Sequence, residues 1–181
     1  MVLPLMQQQY IVIMAQSTIR SSLVGELAKL AASSGCSIIN CRMDTLGREF
    51  VMMLLLGGSW DAVAKVESGL PLLEKRLDMR VMSRRTGMRE RTEDLLPYSV
   101  QVVALDRAGI IQKMTEFFDS QGIFIEEMYS DTYNTATQTV MFSLTMSISI
   151  PASCHLASVR ERFLLFCDDH NLDAVIEPIK G

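Results

Sequence analysis

A chain of 181 residues with 49% hydrophobic and 21% charged side chains suits one ordinary domain or two small ones of about 80–90 residues, and its composition excludes a disordered chain. Its net charge of −4 is the wrong sign for tracking a phosphate backbone, which argues against direct nucleic-acid binding. Met1 to Ala15 carries no basic n-region and is interrupted by Gln7-Gln8-Gln9, and no stretch reaches the roughly eighteen apolar residues of a membrane span, so a cytoplasmic protein is expected.

In chain order, an apolar strand is predicted over Tyr10 to Ala15. An amphipathic helix follows, carrying Leu23, Val24, Leu27, Leu30 and Ala31 and stopping at Gly35. A strand from Cys36 to Asp44 turns at Leu46-Gly47 into a second from Phe50 to Leu56. Ser59 is placed to cap a helix marked by Val63, Val66 and Leu70, and a short strand from Leu77 to Ser83 closes the set. Arg84 to Asp94 is polar and aperiodic and is closed by Pro97, which reads as a linker.

The pattern then recurs. A strand over Tyr98 to Leu105 leads to a helix carrying Ile110, Ile111, Met114, Phe117 and Phe118 and ending at Gly122, which superimposes on the first helix at a constant offset of 87 residues. Strands over Ile123 to Asp131 and Gln138 to Ile150, joined by a turn at Asn134 to Ala136, precede a helix starting near Ser153 with Leu156, Val159, Phe163 and Phe166. The last strand is Leu172 to Ile179. Strand, helix, strand, strand, helix, strand, twice over, is the split βαβ order, so an α+β protein is expected. Its domains are two tandem ferredoxin-like units with antiparallel sheets and helices on one face, at residues 1–83 and 98–181, with a linker at 84–97. Charge is uneven between the parts, at +1, +1 and −6 for 1–83, 84–97 and 98–181.

The third strands of the two copies differ. From Val140 to Ile150 the even positions are apolar and the odd ones carry hydroxyls apart from Met141, so one face is core and the other wet. Phe50, Met52, Leu54 and Leu56 alternate with Val51, Met53 and Leu55, so here both faces are apolar and the second needs a cover: the other domain, a second subunit in a homodimer, or a partner protein. The methionines, among them Met43, Met52, Met53, Met79, Met82 and Met88, read mostly as core filler at strand positions.

The turn Leu105-Asp106-Arg107-Ala108-Gly109-Ile110 has the chemistry for a small zwitterion. Unpaired amides at a helix start welcome a carboxylate, Gly109 admits close approach, and Asp106 could hold an ammonium group. The plainer reading makes Asp106 a helix N-cap. Cys154, His155, Cys167 and His170 match no structural zinc spacing and lie in or beside one helix, so no metal is expected, and the four cysteines of the chain read as reduced thiols. Arg84, Arg85, Arg89 and Arg91, diluted by Glu90, Glu93 and Asp94, read as a solvated linker. Neither a Walker loop, a dinucleotide fingerprint nor a nucleophile elbow occurs, and only two histidines are present, so neither a cofactor nor catalysis is expected.

A βαββαβ repeat with Asp-Arg-Ala-Gly-Ile after its first strand resembles an ACT domain. Leu46-Gly47-Arg48-Glu49-Phe50, Gly58-Ser59-Trp60, Glu67-Ser68-Gly69-Leu70-Pro71 and Arg84-Arg85-Thr86, in that order, resemble the glycine cleavage system transcriptional repressor family. The resemblance runs from Tyr10 to Ile179. It implies a repressor without its own DNA-binding domain, which contacts a DNA-bound transcriptional activator and answers to glycine through the turn after the first strand. Carried over by position, Asp106, Arg107, Ala108, Gly109 and Ile110 are its ligand residues in the second domain, with Ala108 where the family has proline. The first domain reads Gln16-Ser17-Thr18-Ile19-Arg20-Ser21-Ser22-Leu23 at this turn, so Arg20, Ser21 and Ser22 remain as candidates, with Asn40 on the second strand. A single working site, a changed ligand and a purely structural first domain all stay open. So do a ligand-independent interaction module and a regulatory subunit of an amino-acid biosynthetic enzyme.

Overall fold

The computed structural model describes residues 8–18, 23–89 and 94–179. The chain divides into two compact units, Met1–Glu90 and Arg91–Gly181. The first contains β1 (Gln9–Ser17), α1 (Leu23–Ser34), β2 (Ser37–Leu46), β3 (Glu49–Gly58), α2 (Trp60–Leu77) and β4 (Arg80–Thr86). The second contains β5 (Leu95–Leu105), α3 (Ile110–Asp119), β6 (Phe124–Asn134), β7 (Val140–Pro151), α4 (Leu156–Asp169) and β8 (Asp173–Pro178). Each unit is a four-stranded antiparallel sheet, ordered β2-β3-β1-β4 and β6-β7-β5-β8, with both helices on one face. This is the doubled α+β ferredoxin-like fold expected from the order of elements.

The repeat extends below the level of elements. Gly35 and Gly122, 87 residues apart, both end a helix with positive φ, at 85° and 66°, a conformation that costs a residue with Cβ about 1 kcal/mol or more. The register of β2 against β3 slips between Ile38 and Asn40, and that of β6 against β7 slips between Ile125 and Glu127. The two bulges sit at the same offset, so both second strands are bent at one equivalent point. Glu126 lies in the second bulge, where the strict alternation of strand faces is broken.

In the first unit Ile11, Ile13 and Ala15 of β1 and Phe50, Met52, Leu54 and Leu56 of β3 meet Leu23, Leu27 and Ala31 of α1 and Val63, Val66 and Leu70 of α2. Ser59 caps α2, its hydroxyl accepting from the Ala62 amide at 3.1 Å. Gly58 permits the close seating of that helix, since a Cβ there would fall 2.9 Å from Cys36 Sγ and 3.1 Å from the Ala62 methyl. Instead of giving way to strand at Leu77, α2 continues through Pro71 to that residue and ends on Asp78 at φ 45°. Leu70 and Leu73 lie on its buried stripe, so tertiary packing carries the helix past the proline. β4 continues to Thr86 and β5 begins at Leu95, so both ends of the expected linker are paired strand.

The second core is aromatic. Phe118 and Phe163 stack at 5.6 Å between ring centroids, Phe117 meets Phe166 at 4.7 Å, and the four rings hold α3 to α4. The last helix starts later than Ser153, because β7 runs on to Pro151 and a turn bonds the Cys154 amide to the Pro151 carbonyl. His155 is its N-cap, with Nδ1 accepting from the Ser158 amide.

The methionines depart from expectation. Met52 and Met79 are core, but Met43, Met53, Met82 and Met88 are exposed. Strand alternation is the reason for Met53 and Met82, whose neighbours Met52 and Val81 take the helix side.

Candidate functional site

In the second unit the turn between β5 and α3 is tied to the sheet by the Asp106 amide, which donates to the Val140 carbonyl at 3.1 Å. That bond brings the turn to the β6–β7 hairpin, where the hydroxyls of Thr135, Thr137 and Thr139 form a short hydrogen-bonded chain. Gly109 is the N-cap of α3 at φ 90° and offers no side-chain acceptor. The first intrahelical bond runs from Lys113 to the Gly109 carbonyl, so the amides of Ile110, Ile111 and Gln112 begin the helix without a capping side chain. The N-cap reading of Asp106 is therefore overturned: the residue lies three positions before the cap. Its side chain is exposed and has no hydrogen-bond or ion-pair partner among the described residues. Ile110 is buried and fixes the helix start, while Ala108 is exposed. Arg107 donates through Nη2 to the His170 carbonyl, so its cation sits at the negative end of α4.

In the first unit Arg20, Ser21 and Ser22 lie outside the described residues. Asn40 is placed apart from the turn after β1. β3 separates β2 from β1, and Asn40 pairs through Leu55 with Val12, whereas the end of β1 at Ser17 pairs through Phe50 with Thr45. The distance along the sheet is five strand residues, about 16 Å. The corresponding end of this sheet instead holds a cleft of about 440 Å³, with Gln16, Ser17, Glu49, Glu74, Lys75 and Arg80 among its lining. Gln16 donates to Glu49 at 3.2 Å, and Glu74 accepts from the Val81 amide at 3.2 Å. Charges of both signs surround it, as a zwitterion requires. Sequence reasoning missed this cleft because Glu49 comes from a hairpin and Glu74, Lys75 and Arg80 from a helix end and the next strand. The run of charges near residue 75 was the sole signal.

Three of the residues that carried the family resemblance, Trp60, Glu67 and Arg85, come together elsewhere. Arg85, on the helix side of β4, donates to both carboxylate oxygens of Glu67 on α2, at 3.0 and 2.8 Å, and its guanidinium carbon lies 5.2 Å from the Trp60 ring. Trp60, Glu67 and Arg85 thus clamp α2 to β4, and Arg85 is not part of a solvated linker. The hydrogen bond from Arg85, reinforced by its charge and opposed by partial burial, holds the Glu67 carboxyl below the usual glutamate range. The contribution of the pair is complete above the unfolded pKa of about 4.3 and is lost as pH falls through the depressed folded value. Since Trp60 is the single tryptophan, its fluorescence is expected to show a step on acidification with a midpoint below 4.3, the reference value for glutamate, and Glu67→Gln is expected to remove that step. A step unchanged in the variant would assign it to another group.

Among the described residues no cluster of three His, Cys, Asp or Glu side chains is set to hold a metal ion. Cys154 and His155 precede α4 while Cys167 and His170 lie at its far end, about 20 Å away. Burial, with some help from the Asp168 charge, pushes the Cys167 thiol up to about 12, and burial also raises Cys36. Cys41, by contrast, is exposed on β2. Among the described residues no helix is long and apolar enough to cross a membrane.

A sequence model of the ACT domain matches residues 9–83. The glycine cleavage system transcriptional repressor of Escherichia coli strain K12 is 31% identical over 176 residues, covering 97% of this chain and 93% of the relative, and that of Shigella flexneri matches equally. A crystal structure described as a candidate glycine cleavage system transcriptional repressor superimposes with a TM-score of 0.72 at 27% identity, over 97% of this chain and 99% of the other. A protein of unknown function from Galdieria sulphuraria shares the fold at a TM-score of 0.77 and 18% identity, over 96% and 100% of the two chains.

Proposed function

The chain belongs to the glycine cleavage system transcriptional repressor family, and from that premise we propose that it regulates this system in the cytoplasm by contacting a DNA-bound activator, with glycine biasing the contact. The observation that carries the reading is the likeness to the Escherichia coli repressor along nearly the whole of both chains. The acidic balance supports action through a protein rather than through DNA. No catalytic role is proposed, in keeping with relatives that are named as repressors. The amino-acid site is proposed at the turn after β5. There the carboxylate of the ligand takes the uncapped amides at the start of α3 and its ammonium group takes Asp106, with Gly109 leaving room for the backbone approach. Arg107 orders the turn through the end of α4, and Ile110 anchors it in the core.

Regulation of this kind requires glycine to bind the free and the activator-bound forms with different affinity, because a ligand that binds both equally shifts nothing. The test is the affinity of this chain for the activator on its operator DNA, measured with and without saturating glycine. A change within the usual allosteric range of about 5–150-fold is expected. Equal affinities would reject glycine control, and no binding to the activator at all would reject the proposed mode of repression.

A further inference from the structure

We propose that the open face of the first sheet is a self-complementary surface that docks on the same face of a second copy of this chain. Strand pairing fixes what the face contains. With the helices covering Ile11, Ile13 and Ala15, the other side presents three cross-strand rows read from β2 to β4: Asp44, Val51, Gln16, Arg80; then Arg42, Met53, Met14, Met82; then Asn40, Leu55, Val12, Arg84. Met14, Met53 and Met82 are 45%, 44% and 69% exposed. The centre is thus apolar, a methionine row runs across it, and charge is confined to the edge strands. The equivalent face of the second unit carries Ser143, Thr145, Ser147 and Ser149 along β7, hydroxyl side chains that need no apolar cover.

The order of the strands makes the face match itself. A two-fold axis parallel to the strands lays β3 over β1 of the second copy and β2 over β4 of the second copy. Met53 then meets Met14 of the second copy and Leu55 meets Val12, each twice. At the rim Asp44 meets Arg80 of the second copy, again twice, and the Arg42 stem lies along Met82. Flexible thioethers suit such a seam, since two identical rows must interdigitate at the roughly 10 Å spacing of packed sheets. Four strands about 4.8 Å apart and some 30 Å long present nearly 600 Å² in projection per copy, and the pair therefore reaches the range of about 1,000–1,200 Å² at which specific association begins.

Sedimentation velocity on the full chain across a concentration series tests this. The wild type is expected to form a dimer and Met53→Asp a folded monomer with an unchanged circular dichroism spectrum. Because a charge in that row could also weaken folding, the rim gives a second test: Asp44→Arg sets like charges against Arg80 of the second copy and is expected to weaken the dimer at least tenfold, and Asp44→Arg combined with Arg80→Asp is expected to restore it. A wild type that stays monomeric up to several hundred micromolar overturns the proposal. So does a dimer indifferent to Met53→Asp, which would be built on another surface, or one indifferent to Asp44→Arg, which would lack this two-fold arrangement.

Discussion

Asp106→Ala is expected to abolish stabilisation by glycine while leaving the unliganded protein as stable as the wild type. At a hundred times its dissociation constant, a ligand that binds only the folded state adds about 2.7 kcal/mol, a shift of several degrees in a domain of this size. The variant should fold normally, because the Asp106 carboxylate is exposed and has no partner among the described residues, and the turn is tied down by its amide, which alanine retains. A thermal-shift titration with glycine and the other common amino acids measures both halves of the expectation. Equal shifts in wild type and variant would move the ligand elsewhere, with the cleft beside Glu49 and Arg80 as the next place to look. No shift with any amino acid would leave a protein-interaction module without a ligand.

Phe163→Ala is expected to destabilise the second unit by about 3–5 kcal/mol, much of the stability available to a domain of its size. Phe163 is fully buried and packs against both Phe117 and Phe118, so truncation removes one of the two α4 rings that join it to α3 and leaves a cavity behind. The first unit has a separate core, centred on Ile11, Leu54 and Val63. Trp60 lies in that unit and reports on it alone, so on heating the tryptophan signal should keep its wild-type midpoint while far-ultraviolet circular dichroism shows an earlier loss. A tryptophan transition that moved down together with the dichroism would mean that the two cores melt as one cooperative body.

The repeat was legible because it is written in local signals. Helix periodicity, the glycines at 35 and 122 and the cap at Ser59 each need only neighbours within a turn or two of chain, and each was read correctly from residue types. The C-terminal end of α2 and the start of α4 differ from expectation for the opposite reason. Whether Leu73 continues a helix beyond Pro71 depends on what lies beneath it, and whether Ser153 or His155 caps α4 depends on where β7 lets the chain go. Arg85 was read as solvated because its neighbours in sequence are polar, yet its carboxylate partner lies eighteen residues back on α2. In the candidate site, the composition of the turn from Asp106 to Ile110 was plain, while the placement of Arg107 on the end of α4 and of the threonine hairpin beside Asp106 was not.

The sequence by itself determined the doubled βαββαβ order, the apolar face of every helix, the hydroxyl-lined face of β7 and the family, since all of these depend on periodicity and on runs of residues read in order. Tertiary structure alone decided which residues from separate elements share a surface. Strand order placed β3 between Asn40 and β1, register gathered Met14, Met53 and Met82 into one exposed row, and the meeting of a hairpin with a helix end made the cleft around Glu49 and Arg80. These features rest on contacts between residues far apart along the chain, which are settled by the joint burial of two cores and not by any segment alone.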